Sequence, residues 1–273
     1  MDVGLLTAPF GKDMKFKEIA EWAGKTGFKA LEVIAGPQGH LRPQDVLPDD
    51  GKEVKRILAG AGVRVSGLAY YRGFEPVDEY SRDMKDLIAM AQVLDADALC
   101  TMAGFPAQGK TKMQTIREIV PGVFTPLAKE AEKRGVKIAF ENWFATNLQH
   151  LDHFKAVTEA LPQPNVGFNF DPSHLAWQQI DYLAAVEEFK TRIFHTHAKD
   201  TAIWPEKRTR LGVLEGGWWE YVIPGYGVIS WGEYIRKLRQ CGYNGVLSIE
   251  HEDRAFSPKE GFEKGLRFLS SLA

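Results

Sequence analysis

The sequence predicts a single α/β domain over residues 1–273, folded as a (β/α)8 TIM barrel. Three observations point there. Short apolar runs alternate with amphipathic stretches from end to end, the alternation can be counted eight times, and four of the runs break into acid or histidine at their C-terminal ends. Those four are KIAFENW (137–143), VGFNFDPSHL (166–175), RIFHTHAKD (192–200) and GVLSIEHED (245–253). Strict strand-then-helix alternation argues for a parallel sheet, and eight units argue for a closed barrel over an open doubly wound sheet. Neither GxGxxG nor GxxxxGK[ST] occurs, so nucleotide-binding alternatives lack their phosphate loop.

In order, residues 2–7 read as the first strand. A helix capped by Asp13 follows, with Phe16, Ile19, Ala20 and Ala23 at helical spacing and Gly27 at its end. FKALEVI (28–34) is the second strand, and a Pro- and Gly-containing loop leads to a helix over about 49–61, closed by Gly62. The strand 63–71, a helix over 78–94, the strand 97–104 and one long helix over 112–134 continue the rhythm. KIAFENW, a helix at 150–161, VGFNFD, a helix at 180–190, RIFHTHAKD, a helix at 230–241, GVLSIEHED and a closing helix at 258–271 complete it. One connection is long: about 30 residues separate Asp200 from Ser230, far above the usual strand-to-helix loop. It carries Trp204, Trp218, Trp219, Tyr221 and Tyr226, which suits either a lid stacking on a sugar ring or a loop packing its own apolar side chains.

Composition narrows the classes. The formal net charge of −2 gives no footprint for nucleic acid or an anionic membrane surface. The N-terminal stretch lacks a basic segment and a long apolar run, and no run reaches the ~18 residues of a membrane span, so the expected compartment is the cytoplasm. Two cysteines, Cys100 and Cys241, make neither a disulfide framework nor a zinc-ligand pair. No heptad repeat fixes an oligomeric state, and a homo-oligomer stays open.

Side chains alternate along a strand, so residues two apart share a face. Ile138 and Phe140, Phe168 and Phe170, Leu247 and Ile249 mark the covered face; Glu141, Asp171, His197 and Glu250 then share the opposite one, at four strand ends. Three carboxylates and one imidazole form a hard, mostly oxygen site suited to a divalent ion, Mn²⁺, Mg²⁺, Co²⁺ or Zn²⁺, among which the donor set does not choose. Such an ion, chelating a carbonyl and its neighbouring hydroxyl, stabilises the enediolate formed when the C–H between them loses its proton. Glu141 and Glu250 can then act as the two proton-transfer groups. His174, three residues after Asp171, and Lys199, two after His197, are placed to contact substrate oxygens. Lys199 can instead pair with its neighbour Asp200, and Trp143 can either pack on a ligand or cover the barrel rim. His195 reads as a hydrogen-bonded residue one layer deeper.

At these residues the chain resembles a known family. FEN (140–142), FDPSH (170–174), HTHAKD (195–200), PGYGVISW (224–231) and SIEHED (248–253) look like the sugar phosphate isomerase/epimerase family of xylose isomerase-like barrels, over essentially the whole chain. The resemblance implies one divalent metal on Glu141, Asp171, His197 and Glu250, acid/base roles for Glu141 and Glu250, and substrate contact by His174. Family members include tagatose and psicose 3-epimerases, hydroxypyruvate isomerase and inosose dehydratase. The superfamily's three-zinc apurinic endonucleases need further histidines, where this chain has Ala69, Tyr70 and Tyr71, then Thr101, Met102 and Ala103, and no histidine between His197 and His251. Keto-sugar epimerases often carry an arginine soon after the metal histidine; here Lys199 is nearest, with Arg208 and Arg210 farther along. The expectation is therefore a metal-dependent isomerase or epimerase of a keto-sugar or related polyol, with a keto-glycoside or inositol derivative favoured by the long aromatic loop. A lyase using the same site for β-elimination and a non-catalytic sugar-binding barrel are the alternatives.

Overall fold

A computed structural model describes residues 1–273. Eight parallel strands close into a barrel: β1 (Asp2–Leu6), β2 (Ala30–Ile34), β3 (Arg64–Tyr70), β4 (Ala98–Met102), β5 (Ile138–Glu141), β6 (Val166–Phe170), β7 (Ile193–Ala198) and, after an antiparallel hairpin of β8 (Asp200–Ile203) and β9 (Trp219–Val222), β10 (Val246–Ile249). The barrel closes by pairing β1 with β10, Leu5 opposite Ile249. The expected (β/α)8 barrel is therefore the observed one.

The alternation read from sequence explains which side is greasy. Phe140, Phe168 and Phe170 point out from their strands and are fully buried under the helical layer. Phe140 meets Phe124 edge-on at 4.7 Å, and Phe168 meets Phe154 at the same separation. Each ring contributes about 1.5–3 kcal/mol by leaving water. The interior of the barrel is instead polar towards its C-terminal end, with Glu32, Ser66, Asn169, His195, His197 and Ser248 all buried there.

Several boundaries differ from the expectation. The helix expected over 112–134 is two, Lys112–Glu118 and Val120–Lys133, because Pro121 has no N–H to continue the ladder through the junction. The first helix begins at Phe16, where the Glu18 carboxylate accepts from the Lys15 backbone N–H; Asp13 is not its cap. Short helices at Pro43–Val46, Ser173–Ala176 and Pro205–Leu211 exceed the simple count of eight. No helix is long and apolar enough to cross a membrane.

Asp200 organises the long connection. It does not pair with Lys199; one of its carboxylate oxygens accepts from the backbone N–H of Thr201 and Ile229, the other from Gly225 N–H and Trp231 Nε1–H, all at 2.8–3.0 Å. Gly227 fits beneath because it has no side chain: a Cβ would lie 2.3 Å from Asp200 Oδ1. Asp200→Ala leaves these donors without their acceptor and is expected to cost about 3–5 kcal/mol, read as a lower urea midpoint at unchanged slope.

Candidate metal centre and substrate pocket

The four strand ends converge. Glu141 ends β5, Asp171 follows β6, His197 lies in β7 and Glu250 follows β10. His197 Nδ1 is 3.2 Å from Glu141 Oε1, 3.0 Å from Glu250 Oε2 and 3.8 Å from Asp171 Oδ2. Local bonding explains why Asp171 presents one oxygen. Its Oδ1 accepts from Ser173 N–H at 2.7 Å, and its backbone is clamped by two 2.8 Å bonds to the Asn142 amide. Asp171 Oδ2 and His197 Nδ1 are buried without hydrogen-bond partners. Two such orphaned atoms aimed at one point among carboxylates fit a cation held there.

His174 comes closer to this centre than a substrate contact alone requires. Its Nε2 lies 3.5 Å from both Glu141 Oε1 and Asp171 Oδ2, and donor atoms of Glu141, Asp171, His174 and Glu250 all fall within 4.8 Å of one another. Its Nδ1 meets the hydroxyl of Tyr221, on β9, at 2.6 Å. The three acids thus have an imidazole on each side, His197 from β7 and His174 from the turn after β6.

Lys199 is 1% exposed, and its ammonium lies 2.6 Å from Glu250, 3.3 Å from Asp171, 3.6 Å from Glu252 and 3.3 Å from His174 Nε2. Burial pushes its pKa down, but Glu250, Asp171, Glu252 and Glu141 outweigh that and hold it well above the usual lysine value. Burial likewise pushes the Glu250 carboxyl up, and Lys199 and His197 bring it well below the usual range. Burial lowers His197 while Glu32, Glu250 and Glu141 raise it well above an ordinary imidazole. Burial raises Glu252, whose carboxyl stays above its ordinary value despite Lys199. Glu141, Asp171, Glu250 and Glu252 therefore gather around a single lysine, an excess of carboxylate suited to a further cation.

The mouth is a cavity of about 500 Å³ whose lining includes Glu141, Trp143, His174, Lys199, Tyr221 and Glu250. Trp143 lines it and touches Phe105 edge-on. The long connection supplies Trp219 and Tyr221 to the same wall, Trp219 stacked on Trp177 at 4.3 Å, whereas Trp218 is buried and Tyr226 is exposed. The loop is thus both pocket wall and packing element. Neither Arg208 nor Arg210 lines the cavity; its cations are Lys199 and Arg72. A larger cavity of about 760 Å³ lies over the loops after β1 and β2, with Lys12, Lys15 and Arg42 and a single acid, Asp45, in its lining, so it lacks the converging carboxylates of the mouth.

Sequence reasoning missed Glu32, Arg72, Tyr71 and Glu252, and named Tyr221 only as a loop aromatic without its bond to His174. Glu32 had a signal: it is the single charged residue within ALEVI, a strand otherwise wholly apolar.

Comparison with known proteins agrees with the fold. By sequence, the chain is 28% identical to the uncharacterized protein YfiH of Bacillus subtilis (strain 168), over 94% of each chain. It is 23% identical to an inosose dehydratase of Clostridium beijerinckii, covering 89% of this chain and 84% of that one. Two solved structures share the fold: the IOLI protein with a bound zinc atom (TM-score 0.76, 19% identity, 100% and 98% covered) and 3-keto-D-glucoside 4-epimerase YcjR from E. coli (TM-score 0.75, 15% identity, 99% of each). The family profile described as xylose isomerase-like TIM barrel matches residues 20–272, and the chain belongs to that family.

Proposed function

We propose that the chain is a metal-dependent isomerase or epimerase that moves a proton beside the carbonyl of a keto-sugar or related polyol. The carrying observation is the pairing of two carboxylates across one centre. Glu141 and Glu250 come from different strands, approach the same His197 nitrogen at 3.2 and 3.0 Å, and both line the cavity. A divalent ion held by Glu141, Asp171, His197 and Glu250 would supply charge stabilisation for the carbonyl and its neighbouring hydroxyl as the proton leaves.

The residues of the chain divide the remaining work. One carboxylate takes the proton and the other returns one, at the opposite face of the same carbon for epimerisation or at the neighbouring carbon for isomerisation. Lys199 and His174 donate to substrate oxygens, and Trp143, Trp219 and Tyr221 wall the ring and exclude water.

Elimination is the second reading, favoured by the dehydratase relative and by the Tyr221 hydroxyl bonded to His174, which can protonate a departing oxygen. Incubating keto-sugars, keto-glycosides and inososes with the divalent-ion-loaded protein in deuterium oxide separates the outcomes. A product in which one deuterium has replaced one carbon-bound hydrogen, about one mass unit above the substrate, indicates isomerisation or epimerisation, and loss of water indicates elimination. A bound sugar whose C–H never exchanges would make the barrel a binder and overturn the enzymatic reading.

A further inference from the structure

Glu32 sits beneath the acid centre, fully buried, at the middle of β2. Both its oxygens face His197 Nε2, at 3.0 and 3.2 Å. The rest of its shell is made of donors: Ser248 Oγ–H at 2.8 Å and the Tyr71 hydroxyl. The ladder shifts register beside it, between Leu31 and Glu32, and Gly67 on β3 leaves it room, since a Cβ there would lie 3.2 Å from Glu32 Cγ.

We infer that Glu32 is the positioning residue of the centre: it accepts the His197 Nε2–H and so turns the Nδ1 lone pair onto the point shared by Glu141, Asp171 and Glu250. The inference rests on the metal reading above and adds the residue that aims its imidazole. A histidine that ligates through one nitrogen is oriented by what its other nitrogen donates to. The rival arrangement has Nε2 accepting from Asn169 Nδ2, 3.0 Å away, with the proton on Nδ1. Two observations oppose it. An unprotonated Nε2 would face both oxygens of a carboxylate, lone pair against lone pair. The two Asn169 Nδ2 hydrogens also have acceptors without it, in the Tyr71 oxygen at 2.8 Å and Glu32 Oε1 at 3.4 Å. His195 is not an equivalent partner: its Nδ1 is 3.8 Å from Glu32 and instead bonds Asn169 Oδ1 at 3.0 Å, while its Nε2 meets Ser66 at 3.2 Å.

The test uses Co²⁺ as the probe and two readouts. Glu32→Gln keeps the volume but not the charge, and the Co²⁺ dissociation constant should rise about 10–100-fold, while the ion-free variant still unfolds cooperatively. Ser66→Ala, in the same interior layer but touching only His195, should bind Co²⁺ as the wild type does. In long-range ¹H–¹⁵N spectra of the wild type, with His197 identified by its loss in His197→Ala, Nε2 should carry a proton. Wild-type Co²⁺ affinity in Glu32→Gln overturns the inference, and so does an unprotonated His197 Nε2. The spectrum decides even if Glu32→Gln fails to fold. Should the wild-type protein bind no Co²⁺, the metal reading falls and the inference with it, whereas wild-type affinity in Glu32→Gln overturns the inference alone.

Discussion

Glu141→Gln and Glu250→Gln are each expected to lower kcat by about 10²–10⁴-fold with the barrel intact, the range for losing one proton-transfer group. Glutamine keeps size and one oxygen acceptor but can neither take nor return a proton. Because both residues also face the candidate metal centre, the comparison belongs at saturating divalent ion, so that lost chemistry is not confused with lost metal. Isotope exchange sharpens it. If the two carboxylates serve opposite faces of one carbon, each variant should still exchange deuterium into one epimer of the substrate while failing to interconvert the pair. Lys199 at 2.6 Å holds Glu250 as an anion. Replacing Glu250 leaves Lys199 with Asp171 and Glu252, so the fold should survive. Wild-type rates in either variant would remove the two-base assignment.

The parts of this site legible in sequence are those fixed by strand alternation. Once Phe140, Phe168 and Ile249 are assigned to the helix-covered face, the phase of Glu141, Asp171, His197 and Glu250 follows from a period of two, and the barrel brings them together. What was hidden depends on contacts distant in sequence. Tyr221 reaches His174 only because β8 and β9 form a hairpin, and nothing in an aromatic-rich loop announces that hairpin before Asp200 gathers its donors from Gly225, Ile229 and Trp231. Adjacency in sequence misled in the other direction, for Lys199 ignores Asp200 and turns inward to Glu250. Glu32 was visible as a lone acid in an apolar strand, but its use required knowing that β2 faces β7 across the barrel interior, which the 3.0 Å contact with His197 shows. The break at Pro121 follows from its missing N–H, and an amphipathic pattern running across it masked the junction.

Protein purified without added metal or chelator is expected to carry about one divalent ion per chain, and His197→Ala and Glu141→Ala to lose it. The expectation follows from Asp171 Oδ2 and His197 Nδ1, buried without hydrogen-bond partners amid more carboxylates than one lysine offsets. The limit of one follows from Lys199. Its ammonium already occupies the space bounded by Glu250, Asp171, Glu252 and His174, where a second ion would have to be held. The chain also has Tyr71 and Met102 at the ends of β3 and β4, positions without the imidazoles that a multinuclear cluster would use. A content near three would contradict this and reopen the nuclease reading. Loading should also raise stability, by about 2.7 kcal/mol at a hundredfold excess over Kd, if the ion binds only the folded chain. That gain should vanish in His197→Ala, whose remaining carboxylates keep their mutual repulsion but lose the nitrogen that completes the set. No bound metal even after reloading, with the thermal midpoint unmoved, would leave the barrel and its aromatic-walled cavity standing but remove metal-assisted proton transfer as its chemistry.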